Sequence, residues 1–440
     1  MSLKPNISTP ELAKLINVHL GEKYLKETPS WKVLDSPISG RGIFAVRDIA
    51  AGEVILRDRA LVVGPRGTKE SCNQTPVACV VCYKPLEVND DESQIMCKNG
   101  CTLPLCDSCS QGNRHSTECE LFRRWKPKDP KKVIPHILRL VSIVRCFFLN
   151  DAQRKLFLSL QPHSDKYYML ELQRAVACFE NFPKDREMLE YFYHSVCVFN
   201  TNAFDGGSRE MGEEEVRVRA LFPLAAMLNH QCSPNADHHF ENPETIVITA
   251  VRPIKGGEEI VTSYTKLLWG TMTRRMFLKM TKHFECCCER CMDPTENGTY
   301  LSALFCRQQG CKGIMIPVQT KTLQPDWRCL TCESVFPHSK MARYQDFALN
   351  TINNRINACS ISDMITFIND MCPRFCPPSN YVLVEAKLNV IWRMSRATTE
   401  VFTEEQLKCK DRYRAELLEL LEKLGAGECT LKKLITEERL

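Results

Sequence analysis

The sequence predicts an α+β fold built from several compact units. Three observations predict it. Short β-type runs punctuated by glycine gather in two places, near residues 31–65 and 220–264. Apolar residues recur at helical spacing over 130–200 and again beyond 340. Finally, 25 cysteines fall into close pairs where apolar periodicity fails, so metal must replace a core there. A chain of 440 residues, 44% of them hydrophobic, has material for roughly two to four such units.

Composition also excludes. A formal charge of +5 is small for this length and does not by itself argue for nucleic acid. The N-terminus lacks a basic segment followed by an apolar one. The longest apolar stretch, Val133 to Leu149, is interrupted by His136, Arg139 and Arg145, and it reads as a buried helix. No membrane association is expected. A reducing compartment is, and clustered cysteines there bind metal. Glycosylation triplets at Asn6, Asn73 and Asn297 mean little without a secretory route.

In chain order, residues 1–30 read as a helical segment, with Thr9 as N-cap and Pro10 in the first turn. Residues 31–70 carry Trp31–Ser36, Gly42–Val46, Glu53–Asp58 and Ala60–Gly64, with turns at Gly40, Gly42 and Gly52. The stretch 79–119 is Cys-rich. Residues 120–215 turn helical through His136–Leu149 and Met188–Phe199. Strands return over 216–270 at Thr245–Val251 and Glu258–Tyr264, and 271–335 is again Cys-rich. The segment 336–440 reads as helices near 341–359, 361–371, 380–396 and 403–424, with Gly425 as the C-cap glycine of the last.

Cys79-x2-Cys82, Cys97-x3-Cys101, Cys106-x2-Cys109 and His115-x3-Cys119 form four pairs of soft ligands. Each pair reaches one ion from a single turn, and two pairs complete a closed tetrahedral site, so the eight ligands hold two zinc ions. Cys72 lies outside the pattern, and Asn89–Ser93 reads as a solvated loop between Cys82 and Cys97. Cys286, Cys288 and Cys291 leave a tetrahedral zinc one ligand short. Neighbouring side chains of extended chain point apart, so a distant cysteine fits better than Cys287. Cys306-x4-Cys311 and Cys329-x2-Cys332, flanked by Gly313 and Trp327, read as a zinc ribbon.

Asn229-His230-Gln231-Cys232-Ser233-Pro234-Asn235 follows an apolar run and precedes Glu258–Tyr264. Alone, an Asn-His pair is a structural turn whose buried polar groups need partners. With Ser39-Gly40-Arg41-Gly42 before it and the Phe284–Cys291 cluster after it, the constellation resembles the SET domain. With the Cys79–Cys119 finger inserted, it resembles the Smyd family, whose SET domain is split by a MYND zinc finger, most like the arthropod SmydA branch. The similarity runs from about Trp31 to Cys332.

That resemblance implies a SET-type core of small β-sheets. It implies an inserted MYND finger, a helical insert, a zinc-bound post-SET segment and an all-helical C-terminal domain. In the finger, Cys79, Cys82, Cys106 and Cys109 would hold one ion, and Cys97, Cys101, His115 and Cys119 the other. Cys232 would complete the site of Cys286, Cys288 and Cys291, giving three zinc ions, with a fourth in the ribbon. Gly40, Arg41, Gly42, Asn202, Asn229, His230, Tyr264 and Phe284 would bind S-adenosyl-L-methionine, and Tyr264 would be catalytic.

The implied activity is protein-lysine methylation, of histone or other proteins, linked to transcription and chromatin. Active members tend to carry a second tyrosine two residues before the Phe284 position, where this chain has Lys282. A rival reading is a non-catalytic scaffold. A third class is nucleic-acid binding through the basic run Lys98, Arg114, Arg123, Arg124, Lys126, Lys128, Lys131 and Lys132. The expected partners are a protein substrate with a target lysine and proteins recruited by the finger and helical tail. The chain is expected to be a monomer in cytoplasm and nucleus.

Overall fold

A computed structural model describes residues 7–25, 28–65, 77–86, 96–128, 130–208, 216–397 and 400–437. Cys72 and Asn89–Ser93 lie outside the described residues. The chain forms two compact units interwoven along the sequence. One holds Met1–Arg47, Val54–Asn229 and His238–Ile248; the other holds Asp48–Glu53, His230–Asp237 and Thr249–Leu440.

The first unit begins with the Thr9–Tyr24 helix, which buries Leu12, Ile16 and Leu20 at four-residue spacing. Its cap is Ser8, one residue earlier than the sequence suggests, and the Ser8 side chain accepts from the Glu11 N–H. Thr9 is already helical, and its hydroxyl is taken by Asp35 Oδ1 at 2.6 Å. Trp31–Asp35 and Arg41–Ala45 pair antiparallel, with Leu34 opposite Gly42. Gly40 closes the turn between them at φ 55°, a left-handed conformation that favours glycine.

A three-stranded antiparallel sheet orders Val62–Pro65, Val216–Leu221 and Phe204–Ser208. Glycine is required at Gly206, where a Cβ would lie 2.6 Å from the Phe240 ring. The helices Ser116–Trp125, Pro130–Arg145, Asp151–Ser159, Lys166–Cys178 and Arg186–Asn202 occupy much of 120–215. Their core is aromatic: Trp125 lies 5.5 Å from Phe179 and 4.7 Å from Phe182, centroid to centroid. Asp58 is fully buried, and its Oδ2 accepts the N–H groups of Leu224 and Ala225 at 2.7 and 2.8 Å. It thereby caps the short 3-10 turn Ala225–Met227 that leads into Asn229.

The second unit contains a four-stranded antiparallel sheet, Leu304–Phe305, Ile314–Pro317, Trp327–Cys329 and Val335–Phe336. Met315 pairs with Cys329 and Trp327 with Phe336, and all four are buried. This is the ribbon, and its two- to four-residue strands are too short to show a period in the sequence. Its helices include Thr271–Thr281, the short Glu289–Met292, His338–Ala358, Ile361–Thr366, Tyr381–Arg396, Glu404–Lys423 and Thr430–Glu437.

Phe367–Met371 widens into a π turn, which joins 361–371 much as the pattern suggests. The last helix was not expected. Gly425 ends the Glu404–Lys423 helix as foreseen: its N–H bonds to Glu422 O and that of Ala426 to Leu421 O. Beyond it the chain turns against a core strand end. Glu428 N–H meets Val251 O at 2.8 Å, and a Cβ on Gly427 would lie 1.9 Å from that oxygen.

Candidate functional site

In the second unit, the His230–Asn235 part of the motif and the cysteines beyond Phe284 converge. The sulfurs of Cys232, Cys286, Cys288 and Cys291 lie within 4.8 Å of one another. Cys232 is 3.5 Å from Cys291 and 3.9 Å from Cys286. A tetrahedral zinc with Zn–S bonds of about 2.3 Å needs sulfurs about 3.8 Å apart, so the donor set fits that ion. Hydrogen bonds from Cys286, Cys288 and Cys291 push the Cys232 thiol far down, whereas Cys286 is pushed far up, since it must donate to Cys232. Four thiols this close cannot all ionise unless a cation joins them.

The motif is held by its own polar groups. Asn235, buried, donates to Glu258 Oε1 and Glu259 O at 3.0 and 2.8 Å, and its Oδ1 accepts from Val261 N–H at 2.8 Å. His230 Nδ1 accepts the Tyr264 N–H at 3.0 Å, which leaves Nε2 to donate to Cys232 Sγ at 3.2 Å. Three rings then meet. The His230 centroid lies 5.2 Å from Tyr264 and 5.9 Å from Phe284, and Tyr264 lies 6.4 Å from Phe284. Burial, helped by Glu259, holds the Tyr264 phenol above its ordinary pKa. Lys282 Nζ stands 5.5 Å from the centre of the Tyr264 ring.

The remaining cofactor candidates lie in the first unit. The Asn229 amide donates to Ser36 Oγ, Ser39 O and Arg41 O at 3.0–3.2 Å, so it fixes the Ser36–Arg41 loop that contains Gly40. Gly42 sits in the strand that follows. Arg41 Nη2 donates to Ser159 O at 3.3 Å, while its buried Nη1 has no partner among the described residues. That orphaned donor fits the carboxylate of an amino-acid cofactor. The Asn202 amide donates to Val198 O within its own helix end and to Gln161 O, just past the Asp151–Ser159 helix.

The finger's ligands fall into two groups, Cys79, Cys82, Cys106, Cys109 and Cys97, Cys101, His115, Cys119. Cys82 and Cys106 are 3.7 Å apart, and Cys97 and Cys119 are 3.8 Å apart, again the spacing of a shared zinc. His115 Nε2 is 3.2 Å from Cys97 Sγ, and Glu118 Oε1 is 4.0 Å from His115 Nδ1. Arg145 grips Glu118 with two bonds of 2.7 and 2.8 Å and also donates to Tyr83 Oη, Val80 O and Val63 O.

A SET domain family model matches residues 40–265. Over 431 residues the chain is 62% identical to SET domain-containing protein SmydA-8, isoform B, of Drosophila melanogaster, covering 98% of this chain and 95% of that one. It belongs to the Smyd family, in the SmydA branch. Isoform A of the same fly protein is 56% identical over 437 residues, covering 98% and 92%. Human histone-lysine N-methyltransferase SMYD3 is 27% identical over 289 residues, 60% of this chain and 61% of that one.

This Smyd chain carries more than its family motifs. Cys306, Cys311, Cys329 and Cys332 also come together, with Cys306–Cys332 at 3.6 Å and Cys311–Cys329 at 3.7 Å. Sequence reasoning missed a set of buried charges beside the Cys232 cluster: Arg274, Arg275, Arg290 and Glu296, each at most 1% exposed. Nothing in residue spacing marks them, because a buried charge leaves no periodicity.

The basic run of the finger is exposed at Lys98, Arg114, Arg123, Arg124, Lys126 and Lys128, and Lys126 pairs with Glu180 at 2.5 Å. The side chains of Lys131 and Lys132 lie outside the described residues. Among the described residues no helix is long and apolar enough to cross a membrane.

Proposed function

We propose that this Smyd protein is an S-adenosylmethionine-dependent protein-lysine N-methyltransferase, acting on histone or non-histone proteins in cytoplasm and nucleus and linked to transcription. The observation that carries the reading is the meeting of His230, Tyr264 and Phe284 beside the four-cysteine cluster. The cofactor supplies an electrophilic methyl on a sulfonium. The chain supplies everything else, and no side-chain nucleophile is needed.

A lysine ammonium, with an ordinary pKa near 10.4, must lose its proton before it attacks. Aromatic walls disfavour the charged form by desolvation. Tyr264, kept as a neutral phenol by burial, offers an oxygen to orient the amine. Phe284, an exposed ring, would cover the cofactor's adenine. Positioning of this kind lowers barriers by about 7–11 kcal/mol. The finger and helical tail would recruit protein partners.

A second reading, a scaffold with weak or no catalysis, is favoured by Lys282, whose cation stands over the Tyr264 ring where active relatives tend to have a phenol. Thermal shift with S-adenosylmethionine, followed by radiolabelled methyl transfer to mixed histones, separates the two. The enzyme reading expects stabilisation and transfer, with transfer falling about 100-fold or more in Tyr264→Phe. Stabilisation without transfer selects the scaffold, and Lys282→Tyr should then raise transfer. No stabilisation overturns cofactor binding itself.

A further inference from the structure

Three buried ionic groups pack against the Cys232 cluster and have no place in the reaction above. Arg274 donates to Glu296 Oε2 at 2.8 Å, to Thr271 Oγ1 at 2.9 Å and to Cys291 Sγ at 3.7 Å. Arg290 lies one residue before Cys291 and donates to Cys232 O at 2.9 Å and to Leu267 O at 2.7 Å. It is 3.8 Å from Glu296. Glu296 Oε1 is held by Ser302 N–H and hydroxyl at 3.1 and 2.5 Å. One guanidinium therefore touches a ligand's sulfur and the other a ligand's carbonyl, and one carboxylate offsets half of their charge.

A zinc ion on four thiolates is doubly negative, and burying such a charge is costly unless cations accompany it. Three of the four cysteines are buried here. The other sites meet the problem differently. At the second finger site His115 replaces one thiolate, and Arg145 is paired in full with Glu118. The first finger site and the ribbon have ligands open to solvent, which screens them. Among the described residues, the cluster that is both all-thiolate and mostly buried is the one with two buried arginines against it.

We infer that Arg274 and Arg290 are positioning residues that retain the metal at Cys232, Cys286, Cys288 and Cys291 by balancing the charge of its thiolates, with Glu296 limiting that balance. The inference rests on the metal reading of this cluster and stands whether or not a methyl group is transferred.

The full-length zinc-loaded protein is titrated with ethylenediaminetetraacetate at fixed pH. Each step receives a short pulse of N-ethylmaleimide, and labelling is read residue by residue at the ligands Cys286, Cys288 and Cys291, apart from the exposed non-ligand Cys287, with Cys306–Cys332 as the internal reference. Arg274→Met and Arg290→Met should lose the metal at a chelator concentration at least tenfold lower than the wild type, with the reference unchanged. Arg274→Lys, which keeps the charge, should stay within about threefold of the wild type. Glu296→Gln should need more chelator than the wild type, a sign that mere loss of packing cannot produce.

If Arg274→Met fails to fold, Arg274→Lys and Glu296→Gln still decide. Glu296→Gln moving in the same direction as Arg290→Met, or no movement in any variant, overturns the proposal. Immediate labelling of these cysteines in untreated wild-type protein removes its metal premise and overturns it as well.

Discussion

The ribbon and the Cys232 cluster are both four-cysteine sites in the second unit, yet they are built in opposite ways. The ribbon takes its ligands from one short stretch, and its sulfurs accept backbone N–H groups from Gln308, Gly313 and Thr331 at 3.3–3.4 Å. One ligand, Cys332, is exposed. The Cys232 cluster joins a ligand from the Asn-His motif to three that follow Phe284, and its polar neighbours are buried side chains. A local site can form from its own turns. A distant one holds together whatever lies on either side of it, here His230 and Tyr264. Losing the first should therefore be a local event, and losing the second should not.

The hardest test of that contrast is Cys232→Ser. It should lower stability on the order of 5 kcal/mol or more and remove the thermal shift with S-adenosylmethionine, because one ligand of a folding metal is lost. A modest loss with cofactor binding intact would erase the distinction. Arg275 is the link between the two sites. Its guanidinium donates to the carbonyls of Thr320, Lys321 and Thr322 and to Glu285, next to Cys286. Arg275→Met should cost roughly 3 kcal/mol by leaving those acceptors unpaired, and should make labelling of both cysteine groups begin together at lower chelator.

A signal independent of both sites comes from Asp58 in the first unit, whose pKa burial raises to about 7 against the opposing backbone N–H donors. The folded state thus binds a proton that the unfolded state releases near the ordinary carboxylate value. Stability falls as pH rises between the two, by roughly 2 kcal/mol from pH 5 to 8, and the slope should flatten in Asp58→Asn. Denaturant titrations across pH check it. The smallest effect is expected for Cys332→Ser, about 1 kcal/mol or less, with weaker metal retention at the ribbon and an unchanged cofactor shift.

The same contrast explains what could be read from the sequence. The finger pairs and the ribbon knuckles were legible because each pair is local in the chain, and the structure groups them as the spacing and the family pattern imply. Spacing alone left the fourth partner of Cys286, Cys288 and Cys291 open, and only the family resemblance pointed to Cys232. The Thr9 cap was off by one residue because Ser8 and Thr9 carry the same capping chemistry, and Asp35, distant in sequence, decides between them. Arg274, Arg275, Arg290 and Glu296 were invisible, since the arginines' partners are backbone carbonyls, carboxylates and a sulfur, and those of Glu296 are Ser302 and Arg274, all brought together by folding. The His230 tautomer was equally out of reach, since Tyr264 fixes it through a backbone N–H.

The close approach of Gly427 and Glu428 to Val251 has a consequence for biosynthesis. On a translating ribosome the Val251 carbonyl waits for its partner until residue 428 has emerged. The finger, whose ligands are complete by Cys119, can take up its metal long before that. Nascent chains stalled ahead of Gly427 should therefore carry a loaded finger and an unfinished second unit, exposing to chaperones the apolar strand end that the tail later covers.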